Sequence, residues 1–315
     1  MTASSDSGAR ILSVENVVKT FGAIRAVDGV SFEVRRGTIT GLLGRNGAGK
    51  TTTLRMINGI FLPDTGSIRL LGLENGASAR DRVGYLPEER GLYRKMKVLE
   101  QLLFFAEIKN RPPAWVRPRA EEWLRRFDLW EARDRKLEEL SKGNQQKIQI
   151  IGTLLHEPEL LILDEPMSGL DPVNVVLVRE MLRELRAEGR TILLSTHMMG
   201  EAERIVDDIV LIHRGRVVLS GSLDGVRASL GANTIHLAFE GDGGFLAGLP
   251  GVARAAVQKR TAEIHLTPGA DSQTILTAAA ARVRVQRFEV AAPSLEEIFI
   301  AKVGAAPAAE EEAVS

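Results

Sequence analysis

The sequence predicts an α/β fold with a mostly parallel core sheet, followed by a smaller α+β unit. Three observations carry this. A glycine-rich loop, Gly44 to Thr51, joins an apolar run (Thr38 to Leu43) to a helical one (Thr52 to Asn58). Two further apolar runs, Leu160 to Leu163 and Thr191 to Leu194, are uninterrupted, as suits parallel strands buried on both faces. From about Asn233 to Val303 the patterns follow a β-α-β-β-α-β order, consistent with a ferredoxin-like unit.

Composition bounds the rest. A chain of 315 residues has room for one large domain and a small one. Its 44% hydrophobic and 26% charged residues exclude a disordered or fibrous chain. Lys+Arg and Asp+Glu number 41 each, so no net field favours nucleic acid or an anionic membrane. Cysteine is absent, which removes disulfides, thiolate metal sites and cysteine nucleophiles together. Residues 1–10 are polar and small, without the apolar core of a signal peptide, and are expected to be flexible. No apolar run approaches the roughly 20 residues that span a bilayer. A soluble, cytoplasmic chain is expected.

Taken in order, Ile11 to Val18 and Ile24 to Val34 read as a hairpin broken at Gly22 and Gly29. Phe21, between them, reads equally as a strand aromatic and as a ring for stacking on adenine. The loop itself fits G-x-x-x-x-G-K-[ST], whose backbone N–H groups and helix N-terminus cradle phosphates. Lys50 is placed to reach the β- and γ-phosphates and the Thr51 hydroxyl to hold Mg²⁺. Asn58-Gly59 stops the helix, a turn at Pro63 to Gly66 leads to a strand (Ser67 to Leu71), and Val83 to Pro87 reads as another strand before the polar loop Glu88 to Gly91.

From Val98 to about Leu140 the period is helical, with Pro112-Pro113 separating two helices. Trp123, Phe127 and Trp130 are expected to form a core stripe. Ser141 either caps the next helix or, with Gly143 allowing close approach, helps bind an anion; both readings stand on the residues alone. The strand from Leu160 ends in Asp164 and Glu165. At a sheet edge beside the phosphate loop, Asp164 can join the metal shell, and strand alternation would let Glu165 face a water as general base. Ser168 to Pro172 is a turn before a helix (Val173 to Ala187). His197 closes the strand Thr191 to Thr196 where it can contact the γ-phosphate. Arg214-Gly215 turns a last hairpin.

Over about residues 11 to 225 this order resembles the nucleotide-binding subunit of an ATP-binding cassette (ABC) transporter, a P-loop NTPase fold with an antiparallel β subdomain and a helical subdomain at about 90–157. The resemblance implies ATP and Mg²⁺ as cofactors. It makes Phe21 the adenine-stacking aromatic, and Gly44, Arg45, Asn46, Gly47, Ala48, Gly49, Lys50, Thr51 and Thr52 the Walker A loop and its helix start. Leu140 to Asn144, with Ser141 and Gly143, form the signature; Asp164 and Glu165 close Walker B; Ser168 to Asp171 form the D-loop; His197 is the switch histidine. Thr51, Asp164 and Glu88 fall to the metal.

The implied protein is an ATP-hydrolysing motor. Two copies, or one copy and a related cassette, share two ATP head to tail and drive a separate permease on the inner face of the cell membrane, with no nucleic-acid partner. The sequence departs from the usual pattern at Glu88, where glutamine is common, and at Lys142 and Asn144. These features and Leu86 to Tyr93 resemble the sodium-efflux exporter branch. DNA-associated cassettes carry long coiled coils that Thr52 to Glu139 cannot hold; ribosome-associated ones pair two cassettes in a chain; an ATP sensor would not need Glu165 and His197. Residues 233–303 are expected to be a separate domain and 304–315 a disordered acidic tail.

Overall fold

The computed structural model describes residues 9–74, 77–89, 91–230, 234–267 and 269–304. It divides into two compact units between Gly221 and Ser222. The two ends expected to be free lie outside the described residues, apart from their inner margins. Arg10 is a strand residue paired with Arg35, and Gly304 closes the last helix.

The first unit begins with strands β1 (Arg10–Phe21) and β2 (Ile24–Arg35). In β2 buried Val30, Phe32 and Val34 alternate with exposed Ser31, Glu33 and Arg35, the pattern of a strand with one wet face. β3 (Ile39–Leu43) is buried throughout and runs into the glycine loop and α1 (Lys50–Ile57). β4 (Thr65–Leu70) and β5 (Leu73–Glu74) return to the first strands, giving an antiparallel sheet of order β2-β1-β4-β5. β6 (Val83–Leu86) enters the core sheet.

Three helices follow: α2 (Val98–Ile108), α3 (Pro113–Arg126) and α4 (Lys142–Leu154). The predicted aromatic stripe is not a core stripe. The left-handed Asp128 (φ 56°) lies just beyond the end of α3, which places Trp130 on a separate turn. Only Phe127 is fully buried, beside Val116, Ala120 and Leu124, while the Arg126 guanidinium lies over the Trp123 ring and those of Arg125 and Arg133 over the Trp130 ring.

β7 (Leu160–Asp164), α5 (Pro172–Ala187), β8 (Thr191–Thr196), the short α6 (Met199–Ala202), β9 (Asp208–His213) and β10 (Arg216–Ser222) complete the core sheet. Its order is β10-β9-β3-β8-β7-β6, and β9, β3, β8, β7 and β6 are parallel. The phosphate loop after β3 and the carboxylates after β7 therefore leave the same edge of one sheet, with only β8 between them, where α/β folds hold their ligands.

The second unit starts with α7 (Leu223–Leu230). β11 (Thr234–Glu240), β12 (Val252–Gln258), β13 (Thr261–Leu266), α8 (Ser272–Ala280), β14 (Arg284–Ala291) and α9 (Leu295–Val303) follow. The sheet order β12-β13-β11-β14 with antiparallel pairings is the ferredoxin-like arrangement, its first crossover reduced to one turn at Leu246–Gly248. Among the described residues no helix is long and apolar enough to cross a membrane.

Candidate nucleotide site

The loop after β3 is fixed by its glycines. A Cβ on Gly44 would lie 2.4 Å from the Ile212 carbonyl oxygen, and one on Gly49, at φ 103°, would lie 2.5 Å from that of Ala26. Neither space admits a side chain. The Ala48 carbonyl accepts from Gly215 N–H at 2.9 Å, which ties the loop to the β9–β10 turn. Arg45, Asn46 and Gly47 form the exposed tip, whereas Lys50 is buried and Thr51 and Thr52 open the helix. Lys50 Nζ donates to the carbonyls of Gly44 (2.8 Å) and Arg45 (3.2 Å) and stands 3.6 Å from Glu165 Oε1.

Glu165 is the hub of the site. It lies one residue beyond β7 and adopts a left-handed backbone at φ 49°. Such strain, about 1–3 kcal/mol, persists only where neighbours over-determine it. Here its N–H donates to the Ser195 carbonyl at 3.1 Å and reaches Ser195 Oγ at 3.2 Å, Thr196 Oγ1 donates to its carboxylate at 3.2 Å, and His197 Nδ1 lies 2.9 Å from Oε1. Glu165 is thus aimed by a left-handed turn rather than by the strand alternation expected from the sequence. Ser195 and Thr196, which the sequence reading passed over, do the holding; their position just before His197 at a strand end was the available signal.

Asp164 is fully buried. Its Oδ1 accepts from the Ser195 hydroxyl, and its Oδ2 is enclosed without a hydrogen-bond partner. Burial pushes its carboxyl above the usual range, the Ser195 and Thr51 hydroxyls oppose this, and Glu88 and Glu165 push further up. Thr51 Oγ1 and Glu88 Oε2 are 3.5 Å apart, the outer limit of a hydrogen bond. Partnerless Asp164 Oδ2, the Thr51 hydroxyl and Glu88 are hard oxygen donors of the kind Mg²⁺ takes, so the residues present fit that ion.

Phe21 is 48% exposed at the hairpin tip and meets Phe61 edge to face at 5.5 Å, with Lys19 Nζ 5.8 Å from its ring centroid. Phe61 carried no signal in the sequence.

Ser141 caps α4: its Oγ accepts from Asn144 N–H at 3.2 Å. Asp171 caps α5 in the same way, accepting from Asn174 N–H at 3.0 Å, and those hydrogen bonds hold its carboxyl below the usual range. The two caps are adjacent, since a Cβ on Gly143 would be in ordinary contact with Gly169 O at 3.7 Å and Leu170 at 3.8 Å. Among the described residues no hydrogen bond joins Ser141, Gly143 or Asp171 to the phosphate loop. α4 does reach the rest of the site through two buried glutamines missed in the sequence. Gln146 Nε2 donates to the Pro166 carbonyl at 3.3 Å, and Gln149 Nε2 to those of Pro87 (3.3 Å) and Glu89 (3.2 Å), which flank Glu88.

Comparison with known proteins agrees with this geometry. Residues 27–168 match the ABC transporter family and residues 221–303 the C-terminal domain of DrrA1-3-like ATP-binding proteins. The "Uncharacterized ABC transporter ATP-binding protein YhaQ" of Bacillus subtilis is 41% identical over 295 residues, 94% of this chain and 99% of the relative. The "Daunorubicin/doxorubicin resistance ATP-binding protein DrrA" of Streptomyces peucetius is 31% identical over 317 residues, 94% and 93% of the two chains. A bacterial ABC transporter cassette solved as a dimer superimposes with a TM-score of 0.63 at 25% identity, covering 67% of this chain and 98% of that one. With a relative of this identity matched almost end to end, the chain belongs to the ATP-binding subunits of ABC transporters, which are ATPases.

Proposed function

We propose that the chain is the ATP-hydrolysing motor of an exporter, closing with a second cassette around two ATP and driving a separate membrane permease. The observation that carries this reading is Glu165, a buried carboxylate in a strained backbone, held at 2.9 Å from His197 and 3.6 Å from Lys50 at the mouth of the phosphate loop. In it Lys50 exchanges its loop carbonyls for β- and γ-phosphate oxygens, and the loop N–H groups and the N-terminus of α1 bind the rest of the polyphosphate. Phe21 stacks on the adenine. Thr51, Asp164 and Glu88 would hold Mg²⁺, which when bound neutralises phosphate charge.

Glu165 orients the attacking water and takes its proton, and His197 fixes that carboxylate and contacts the γ-phosphate. Ser141, Gly143 and Asp171 face the ATP of the second copy. Gly143 supports this assignment, because nothing in its own chain crowds a Cβ there. Contacts made only in the closed pair favour that state by their differential binding; roughly 5.5 kcal/mol moves a population from 1:99 to 99:1. The Glu88 loop, tied to α4 by Gln149, is the path by which closure reaches the permease. The exporter assignment rests on the resistance protein among the relatives and on the shared C-terminal domain. Membrane attachment then comes through the permease.

The test is phosphate release by the Glu165→Gln protein. ATP binding should match wild type while turnover falls at least 100-fold, the scale of a lost general base. Turnover within a few-fold of wild type would remove Glu165 from the mechanism.

A further inference from the structure

Apart from the nucleotide site, one cluster among the described residues brings together three side chains able to hold a metal ion: Glu263, His265 and Glu297, whose ligand atoms lie within 4.8 Å of one another. All three are in the C-terminal unit. In β13, Ala262, Ile264 and Leu266 turn into the core with Ile275 and Ala279 of α8, so Glu263 and His265, two residues apart, project together from the opposite face. α9 brings Glu297 to that face. The three line a cavity of about 510 Å³ with Thr234, Arg254 and Ile300.

We infer that this triad binds a divalent transition-metal ion of the zinc type. One imidazole and two carboxylates are nitrogen and oxygen donors that suit such an ion, and three protein ligands leave a fourth position for water. Three atoms no more than 4.8 Å apart share a point within about 2.8 Å of each, so small rotations reach the ~2.0–2.2 Å of zinc ligation.

Each ligand is already oriented. Thr234 Oγ1 lies 3.2 Å from His265 Nδ1, so that with an ion on Nε2 it can accept the Nδ1 proton and hold the ring. Nε2 is 2.9 Å from Glu263 Oε1, hydrogen-bond distance for an Nε2–H whose place the ion would take between the two side chains. Glu297 Oε2 accepts from Ser294 N–H (2.7 Å) and Ser294 Oγ–H (2.8 Å), while its Oε1 is buried with no hydrogen-bond partner, an unsatisfied acceptor that a cation would satisfy. The His265 and Glu263 side chains are 33% and 44% exposed, which leaves an entry path. Arg254, the cationic side chain lining the cavity, is exposed and able to turn to solvent as the ion enters. The ion would tie β13 to α9.

The test titrates the full-length chain, stripped with chelator and kept in excess Mg²⁺ to fill hard-cation sites, with zinc chloride in a calorimeter. The expected result is one zinc per chain with a micromolar or tighter Kd and a raised Tm, weakened at least tenfold in both His265→Gln and Glu297→Gln. Glu263→Gln, on the exposed side, provides the same reading should either variant lose cooperative unfolding. A wild-type chain that takes up no zinc, or variants that bind it as wild type does, overturns the assignment.

Discussion

The two halves of the proposed shared nucleotide site are built differently. Around Lys50 and Glu165 the polar side chains of Lys50, Asp164, Glu165, Ser195 and Thr196 are all buried, and two glycines leave no room for a methyl group. Around Ser141 and Asp171 the groups are exposed, cap their own helices, and leave Gly143 uncrowded. The first half is shaped by its own chain. The second carries an unused glycine and two helix N-termini on one surface, which is what a contributor to another molecule's site needs.

Several substitutions sharpen that contrast. Ser141→Arg should leave ATP binding unchanged yet lower ATPase turnover about 100-fold, since a large cation would sit where the second copy's nucleotide must enter; normal turnover would place catalysis within a single chain. Away from the site, against the start of β6, His156 is buried with Nε2 donating to the Val83 carbonyl at 3.1 Å, and burial lowers its pKa to about 4. The unfolded chain takes up that proton near 6.5, so stability is intact above pH 6.5 and falls as pH drops toward 4, by up to about 3 kcal/mol. Urea unfolding at pH 7 and 4.5 reads it, and His156→Gln should flatten the dependence.

Gly49→Ala should cost about 2 kcal/mol or more, because its methyl would meet the Ala26 carbonyl in a left-handed backbone. Gly143→Ala, within α4 and uncrowded, should leave stability unchanged or raise it by up to about 1 kcal/mol while still lowering turnover. Equal stability losses at the two glycines would erase the distinction between the halves. Ser141→Ala should cost roughly 1 kcal/mol from the lost cap.

Much of the molecule was legible in the sequence because its signals are local. Strand period, the glycine loop and the terminal carboxylates predict β3, β7 and β8 and the side on which they act. The ferredoxin-like order was readable from the succession of strand and helix patterns. What escaped depends on tertiary geometry. Trp130 falls off the α3 stripe because the chain leaves the helix beside a left-handed Asp128. Glu165 is aimed by backbone strain rather than pleat, and Ser195, Thr196, Gln146 and Gln149 matter for which backbone groups they reach. The ambiguity at Ser141 was real, since its side chain is a helix cap and stands at an exposed N-terminus as well.

The most direct test of the shared site is the molar mass of the Glu165→Gln protein by light scattering on a sizing column, with and without ATP and Mg²⁺. The account predicts a monomer that becomes a dimer with ATP, and a monomer under both conditions once Ser141→Arg is added. A protein that binds ATP tightly yet stays monomeric, or a dimer indifferent to both ATP and Ser141→Arg, would contradict it.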